Sequence, residues 1–246
     1  MTATIAVDAL GSNNVVGVAL PSKYNTEESL VDARLLAENL DIEFKVIEIE
    51  EIVNIFRNTL KESVNDELGP ITDENIQSRV RGNILMALSN QTGAMVVSTG
   101  NKSEMAVGYS TLYGDLAGGF ALLKDLYKTE VYNLANFRNS ISSVIPQNTI
   151  DKEPSAELRP DQFDKDSLPE YELLDEILRM YIEEDSSSEK IISKGIDENI
   201  VYDVLSKVDR NEYKRKQVAP GVKLTEKAFG KDRRMPITNT YIRERG

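Results

Sequence analysis

The sequence has 246 residues, 40% of them hydrophobic and 28% charged, a composition typical of a globular protein with a sizeable core. Its formal net charge of −12 argues against general binding of nucleic acids or anionic membranes. The chain contains no cysteine and no histidine, which excludes disulfides, thiolate metal sites and histidine general bases. Its chemistry must therefore use Lys, Arg, carboxylates, hydroxyls, backbone dipoles or an oxygen-ligated cation such as Mg²⁺.

Targeting and membrane signals are weak along the whole sequence. The first ten residues, MTATIAVDAL, carry Asp8 and no basic residue, so we expect no signal peptide. No apolar run approaches the length that spans a bilayer. We expect a cytoplasmic protein that binds no membrane and no nucleic acid.

Short apolar stretches alternate with helical patterns in the first two-thirds of the chain. Asn25 and Glu28 have the spacing of a capping box, which predicts the start of the first of these helices. The alternation predicts an α/β fold with a parallel sheet and helices on both faces. The predicted strands cover 15–20, 44–49 and 94–98, and the predicted helices cover 27–40, 51–61 and 74–90.

The last third has a different character. Residues 151–169 contain three prolines and many charges, which indicates an ordered loop or a lid. Apolar spacing predicts a helix over 171–181, and we expect another helix over about 199–208. Residues 207–234 then carry ten Lys/Arg against four Asp/Glu, a local reversal of the acidic balance. We predict a nucleotide-binding α/β core over 1–150 and a loop with a helical extension over 151–246.

Two polar motifs lie near the predicted sheet. Asn75 and Arg79 share one helix face, where polar pairs are usually solvated. Residues 99–104, TGNKSE, follow a buried strand, where ligands bind in open α/β sheets. Asn101 and Glu104 also have capping-box spacing, so a local structural role and a site are both open and are compatible.

Two further segments also admit both a structural and a functional interpretation. Residues 108–128 contain four glycines, which could let the backbone approach a ligand or could simply form turns. They do not match the dinucleotide fingerprint, and the sequence has no Walker A pattern. The basic clusters at 213–216 and 231–234 could be solvated or could supply cations to phosphates.

The order of several motifs along the chain carries a resemblance to a known family. ENIQSRVRG, STGNKSE, GYSTLYGDLAGG, PSAELRPDQ and AFGKDRRMPI occur in the order in which they run through glutamine-dependent NAD synthetases. The chain resembles the synthetase domain of that family over nearly its whole length.

The resemblance implies a fold and a reaction. The fold is that of the adenine nucleotide alpha-hydrolases, in the ATP-pyrophosphatase superfamily. The reaction uses ATP and Mg²⁺ to adenylate deamido-NAD, and ammonia then displaces AMP to give NAD. A nitrilase-like glutaminase domain supplies the ammonia, and the synthetase domains assemble as homodimers.

The resemblance also implies roles for individual residues. Thr99 and Lys128 would contact ATP, and Ser155 would lie near its phosphates. The backbone of Leu20 to Ser22 would line the adenine pocket. Glu104 would lie where Mg²⁺ meets deamido-NAD. The remaining residues expected to contact deamido-NAD are Asn75, Arg79 and Lys214.

One diagnostic motif of that family is absent from these 246 residues. The family has a Ser-Gly-Gly-x-Asp-Ser loop that holds pyrophosphate on backbone N–H groups. We therefore expect an α/β core incomplete at its N-terminus, and a chain that is inactive or weakly active alone. The alternatives are a non-catalytic nucleotide-binding remnant and another ATP-pyrophosphatase amidoligase.

Overall fold

A computed structural model describes residues 1–64 and 66–238. The chain forms four short strands, β1 Val16–Ala19, β2 Glu43–Val46, β3 Val97–Ser98 and β4 Phe120–Ala121. The longer helices are α1 Thr2–Leu10, α2 Glu27–Asn39, α3 Glu50–Val64, α4 Pro70–Thr92, α6 Lys128–Ile141, α8 Tyr171–Ile182 and α10 Glu198–Arg210. The shorter ones are α5 Lys102–Val107, α7 Gln147–Asp151, α9 Ser188–Ile192 and α11 Glu212–Arg215.

The strands form two parallel pairs. In one, β1 pairs with β2, and Val16 lies opposite Glu43. In the other, β3 pairs with β4, and Val97 lies opposite Phe120. Because each pair is parallel and its strands are separated by helices, the predicted α/β class is confirmed.

The chain also divides into two compact units that are discontinuous in sequence. Unit 1 consists of 1–92 and 132–167, and unit 2 consists of 93–131 and 168–246. The division into a core over 1–150 and an extension over 151–246 stays a prediction. None of the described helices is long and apolar enough to cross a bilayer.

Two local expectations need correction. The cap of α2 is Thr26, whose hydroxyl accepts from the Ser29 amide, one residue later than the predicted Asn25. Asn25 instead accepts from the Ser22 amide at 2.8 Å, so its side chain closes the preceding turn. Helix α4 begins at Pro70 rather than at residue 74, because proline suits the first helical turn, where its missing N–H costs nothing.

Unit 1 contains two apolar clusters. One joins α3 to α4 through the buried side chains of Ile49, Val53, Ile76 and Val80. The other gathers Leu40, Ala135, Val144 and Ile145. Ile76 and Val80 lie at helical spacing, which is why the sequence pattern predicted α4. The second cluster includes Val144 and Ile145, which follow α6, a helix that the sequence pattern did not predict.

A partly buried carboxylate fixes the loop after α7 to the start of α2. Glu157 accepts hydrogen bonds from Asn25 at 2.8 Å, Ser29 at 2.6 Å and Lys152 at 2.8 Å. Burial alone would raise the pKa of Glu157, but the hydrogen bonds from these three partners outweigh burial and lower it. Glu157 also has φ +49°, an unusual backbone angle for a residue with a side chain.

Unit 2 has a larger core built on α8 and α10. Its fully buried members include Leu174, Ile177, Leu178, Val204 and Leu205. A close backbone approach explains one of the glycines in 108–128. The Gly118 Cα faces the Val96 carbonyl, and a Cβ on it would lie 2.9 Å from that oxygen.

Glycine is also required at the end of α5. Gly108 has φ +72°, and a Cβ there would overlap the side chain of Asn211. Asn211 cannot easily move away, because its Nδ2 donates to the carbonyls of Val107 at 3.0 Å and Lys207 at 2.7 Å.

We expect Glu157→Gln to destabilise the protein by about 1.5–3 kcal/mol at pH 7, because it weakens charge-assisted hydrogen bonds. Since the folded pKa lies below the ordinary value of 4.5, this stabilisation is present above that pH and is lost as pH falls through the folded pKa. Urea unfolding at several pH values should therefore show a deficit that shrinks under acid. Glu38→Gln, on the exposed face of α2, is the control; an equal deficit in both variants would contradict the prediction.

We expect Gly108→Ala to lower the melting temperature more than Gly195→Ala. Both glycines have positive φ, but a Cβ at Gly195 would meet no atom within 4 Å. The difference between the stability losses of the two variants therefore measures the overlap of the new Cβ with Asn211. We expect this overlap to lower the free energy of unfolding by about 1–3 kcal/mol. Equal losses in a thermal melt would show that Asn211 moves aside freely.

Candidate functional site

The turn between β3 and α5 is fixed by side chains within it. The Asn101 side chain accepts from the Glu104 amide at 3.0 Å, and the Glu104 carboxylate accepts from the Asn101 amide at 3.1 Å. The predicted capping box is confirmed. The turn presents Thr99, which is exposed, directly after the strand.

A buried cation lies beside this turn. The Lys102 side chain is fully buried, and its Nζ contacts the carboxylates of Asp125 at 3.0 Å and Glu183 at 2.8 Å. It also donates to the Thr225 hydroxyl at 2.6 Å. Since Asp125 accepts from the Thr225 amide at 2.8 Å, this cluster joins the start of α5 to the late segment around residue 225. Nothing in the sequence pattern predicted it.

Glu104 and Lys128 form an ion pair. Glu104 Oε1 lies 3.2 Å from Lys128 Nζ, and each side chain is one-fifth exposed. The Lys128 ammonium also lies 5.1 Å from the centroid of the Tyr171 ring, a cation–π distance. The first residue of α6 and the first turn of α5 thus bring a cation and a carboxylate together, with solvent access to both.

Lys214 contacts the glycine-containing segment that follows α5. Its Nζ donates to the carbonyls of Gly108 at 2.6 Å and Ser110 at 2.7 Å. Burial lowers the pKa of Lys214, and the charge of Asp115 opposes this effect. The ammonium therefore holds the backbone at 108–110 in place.

The basic cluster at 213–216 is divided between core and surface. Tyr213 and Lys216 are exposed, whereas Arg215 is buried. The Arg215 guanidinium donates to the carbonyls of Ala106 at 2.7 Å and Val208, which ties α11 to α5 and α10. The solvated interpretation therefore does not hold for Arg215.

The four residues of unit 1 that were expected to bind ligands have different surroundings. Asn75 is half-buried on α4, and Arg79 is exposed on the same helix. The Ser155 hydroxyl donates to the Gln162 carbonyl and accepts from the Glu157 amide at 3.1 Å. The Leu20 carbonyl accepts from Arg81 Nε at 2.8 Å.

Arg81 is a residue that the sequence motifs did not single out. Besides the Leu20 carbonyl, it contacts the Asn25 side chain at 3.0 Å. It therefore fixes the backbone at the end of β1. Burial lowers the pKa of Arg81, and the charge of Glu157 opposes this effect.

In residues 1–64 and 66–238, no three carboxylates cluster as a preformed metal site. Of the residues named above, Thr99, Glu104, Lys128 and Lys214 lie in unit 2. The other four predicted site residues, Leu20, Asn75, Arg79 and Ser155, lie in unit 1.

Comparison with known proteins gives a consistent result. The family model "NAD synthase" matches residues 1–218. Glutamine-dependent NAD(+) synthetases from Aquifex aeolicus and Thermotoga maritima are each 54% identical, and the match covers 98% of this chain and 42% of each relative. The chain therefore spans less than half the length of these relatives.

Solved structures agree with this assignment. Glutamine-dependent NAD+ synthetase from Acinetobacter baumannii, in complex with ADP, is 47% identical with a TM-score of 0.61, over 96% of this chain and 43% of that one. NMN synthetase from Francisella tularensis is 27% identical with a TM-score of 0.72, over 91% of this chain and 82% of that one. Since the family match covers most of the sequence, the chain belongs to the NAD synthase family.

Proposed function

We propose that the chain is the synthetase module of a glutamine-dependent NAD synthetase, which converts deamido-NAD to NAD with ATP. The observation that carries this proposal is the Glu104–Lys128 pair, which lies in segments that follow the parallel strands β3 and β4. Ligands of α/β sheets bind beyond the carboxyl ends of such strands. The family match adds the reaction, and the ADP complex of the A. baumannii relative supports nucleotide binding.

The proposed reaction has two steps. An oxygen of the nicotinate carboxylate attacks the α-phosphorus of ATP, and the bond to pyrophosphate breaks. Ammonia then attacks the carboxyl carbon of the adenylate, AMP leaves, and the ammonia nitrogen loses its extra proton to give the amide. Activation is needed because AMP leaves far more readily than an oxide ion.

The residues have complementary roles in this proposal. Lys128 and Thr99 bind ATP, and preorganised cations of this kind stabilise the negative charge that develops on phosphates. Asn75, Arg79 and Lys214 bind deamido-NAD, the Leu20 backbone contacts adenine, and Ser155 shapes the loop near the phosphates.

Glu104 fits a magnesium site of the kind completed by substrate. Mg²⁺ is commonly held by one or two carboxylates together with substrate phosphates rather than by an all-protein cage. Glu104 offers a partly exposed carboxylate of this type. When bound, Mg²⁺ would neutralise phosphate charge beside Glu104.

The finer properties of the whole enzyme belong to the same proposal. The ammonia comes from glutamine through a glutaminase domain of the kind that the names of the longer relatives imply. We also propose a cytoplasmic homo-oligomer.

We expect Lys128→Met to weaken ATP binding by about 10-fold to more than 100-fold, since a charge-assisted hydrogen bond contributes about 1.5–3 kcal/mol. Isothermal calorimetry with Mg²⁺ and ATP measures this. Lys194→Met, which removes an exposed lysine of unit 2, is the matched control and should bind as the wild type does. Equal affinity in both variants would remove Lys128 from the site.

We expect the 246-residue chain alone to form NAD from deamido-NAD, ATP and ammonium far more slowly than a full-length relative. The sequence contains no Ser-Gly-Gly-x-Asp-Ser, and each lost charge-assisted hydrogen bond to phosphate removes about 1.5–3 kcal/mol. Chromatographic detection of NAD measures the rate, and comparable turnover would contradict the expectation.

Calorimetry with deamido-NAD and a substrate screen, alongside this assay, separate the alternatives. Binding of deamido-NAD without turnover would favour a nucleotide-binding remnant. Amidation of the deamidated form of NMN in preference to deamido-NAD would favour the activity that the F. tularensis relative is named for.

A further inference from the structure

A buried carboxylate in unit 2 connects the two helices that carry the Glu104–Lys128 pair. Asp175 lies on α8 and is 2% exposed. Its Oδ1 accepts from the Ser103 hydroxyl at 2.5 Å, within the first turn of α5. Its Oδ2 accepts from the amide of Thr129 at 2.9 Å and from the Thr129 hydroxyl at 2.8 Å, within the first turn of α6.

The Ser103 hydroxyl extends this connection. Its oxygen accepts from the Lys128 amide at 2.9 Å while its hydrogen is donated to Asp175. Ser103 precedes Glu104, and Thr129 follows Lys128. Each residue of the ion pair is therefore adjacent in sequence to a residue that donates to Asp175.

A negative charge on Asp175 is energetically unfavourable because the side chain is buried. Burial raises the pKa of Asp175, and the hydrogen bonds from Ser103 and Thr129 oppose this effect. A carboxylate accepts from every neighbour without needing to donate, whereas an amide of the same size must place two N–H donors among groups that are already donating. The site therefore demands a carboxylate rather than a polar group of equal volume.

We propose that Asp175 is a positioning residue, which holds the starts of α5 and α6 in the register that brings Glu104 and Lys128 to 3.2 Å. Its relevance to catalysis rests on the proposed function, because it acts through residues assigned there to ATP and Mg²⁺. Supporting residues that orient a ligand-binding group typically change affinity or activity by about 10- to 100-fold when they are replaced.

The test compares three variants of the full chain. Asp175→Asn keeps the volume and removes the charge, whereas Ser103→Ala removes only the bridging hydroxyl. Asp209→Asn is the matched control, because Asp209 is a carboxylate of unit 2 that is 3% exposed and accepts from the Tyr181 hydroxyl at 2.6 Å. Melting temperatures show whether the three variants lose similar stability.

The first readout does not depend on activity. Acylation of lysines followed by mass spectrometry gives the labelling rate of Lys128 relative to the exposed Lys194. We expect this ratio to rise about two- to fivefold in Asp175→Asn and in Ser103→Ala, the range that loss of a partly exposed ion pair gives. In Asp209→Asn it should stay at the wild-type value. A ratio in Asp175→Asn no higher than in Asp209→Asn would overturn the proposal.

The second readout is ATP affinity by calorimetry in the presence of Mg²⁺. We expect Asp175→Asn to weaken it about 10- to 100-fold and Asp209→Asn to leave it unchanged. If the wild type binds no ATP while labelling still rises, the proposed function fails and the positioning role stands. If labelling rises and ATP affinity does not change, the inferred link from Asp175 to nucleotide binding is contradicted.

Discussion

The backbone amides at the starts of α5 and α6 lie in a largely buried region and need hydrogen-bond acceptors. The groups that accept from these amides also determine the position of Glu104. A helix start leaves amides without intrahelical partners, and burying them unpaired is costly. The Asn101 amide donates to Glu104, the Lys102 amide donates to the Leu126 carbonyl at 2.8 Å, and the Tyr127 amide donates to Glu130 at 2.8 Å. Satisfying the backbone therefore also places the side chains that we assign to ligands.

The buried charged side chains of unit 2 are also paired with polar partners. Lys102 and Arg215 both lie among carboxylates and carbonyls, so neither charge is left uncompensated. Lys102 connects α5 to the segment near residue 225, and Arg215 connects it to α10 and α11. Removing one partner of such a group leaves the other buried and unpaired, which is more damaging than losing a surface ion pair. Helix α5 is only six residues long and depends on these connections for its position.

The parts of this structure that sequence predicted are those with local signals. Apolar spacing predicted α2, α4 and α8, and a separation of three residues predicted the capping box of Asn101 and Glu104. The order of longer motifs predicted the family, which the match over residues 1–218 confirms. Asp175 lies 72 residues after Ser103, and Lys102 meets Thr225 over 123 residues, so no local pattern could indicate either contact. Strand β4 was missed because it has only two residues. Arg81 was missed because a half-buried arginine cannot be distinguished from an exposed one in sequence.

Glu157 shows how backbone and side-chain preferences can conflict at one position. Its φ of +49° is one that glycine and asparagine adopt more readily than glutamate does. Glycine would relax the backbone there and remove the acceptor for Lys152, Ser29 and Asn25, while aspartate would keep the charge on a side chain shorter by one methylene. The position therefore tolerates few substitutions, although neither the backbone angle nor the side chain alone would restrict it so narrowly. Position 157 therefore has to satisfy two independent requirements, a positive φ and a carboxylate that reaches three donors. A substitution score that considers only one of these requirements would misjudge which residues can replace Glu157.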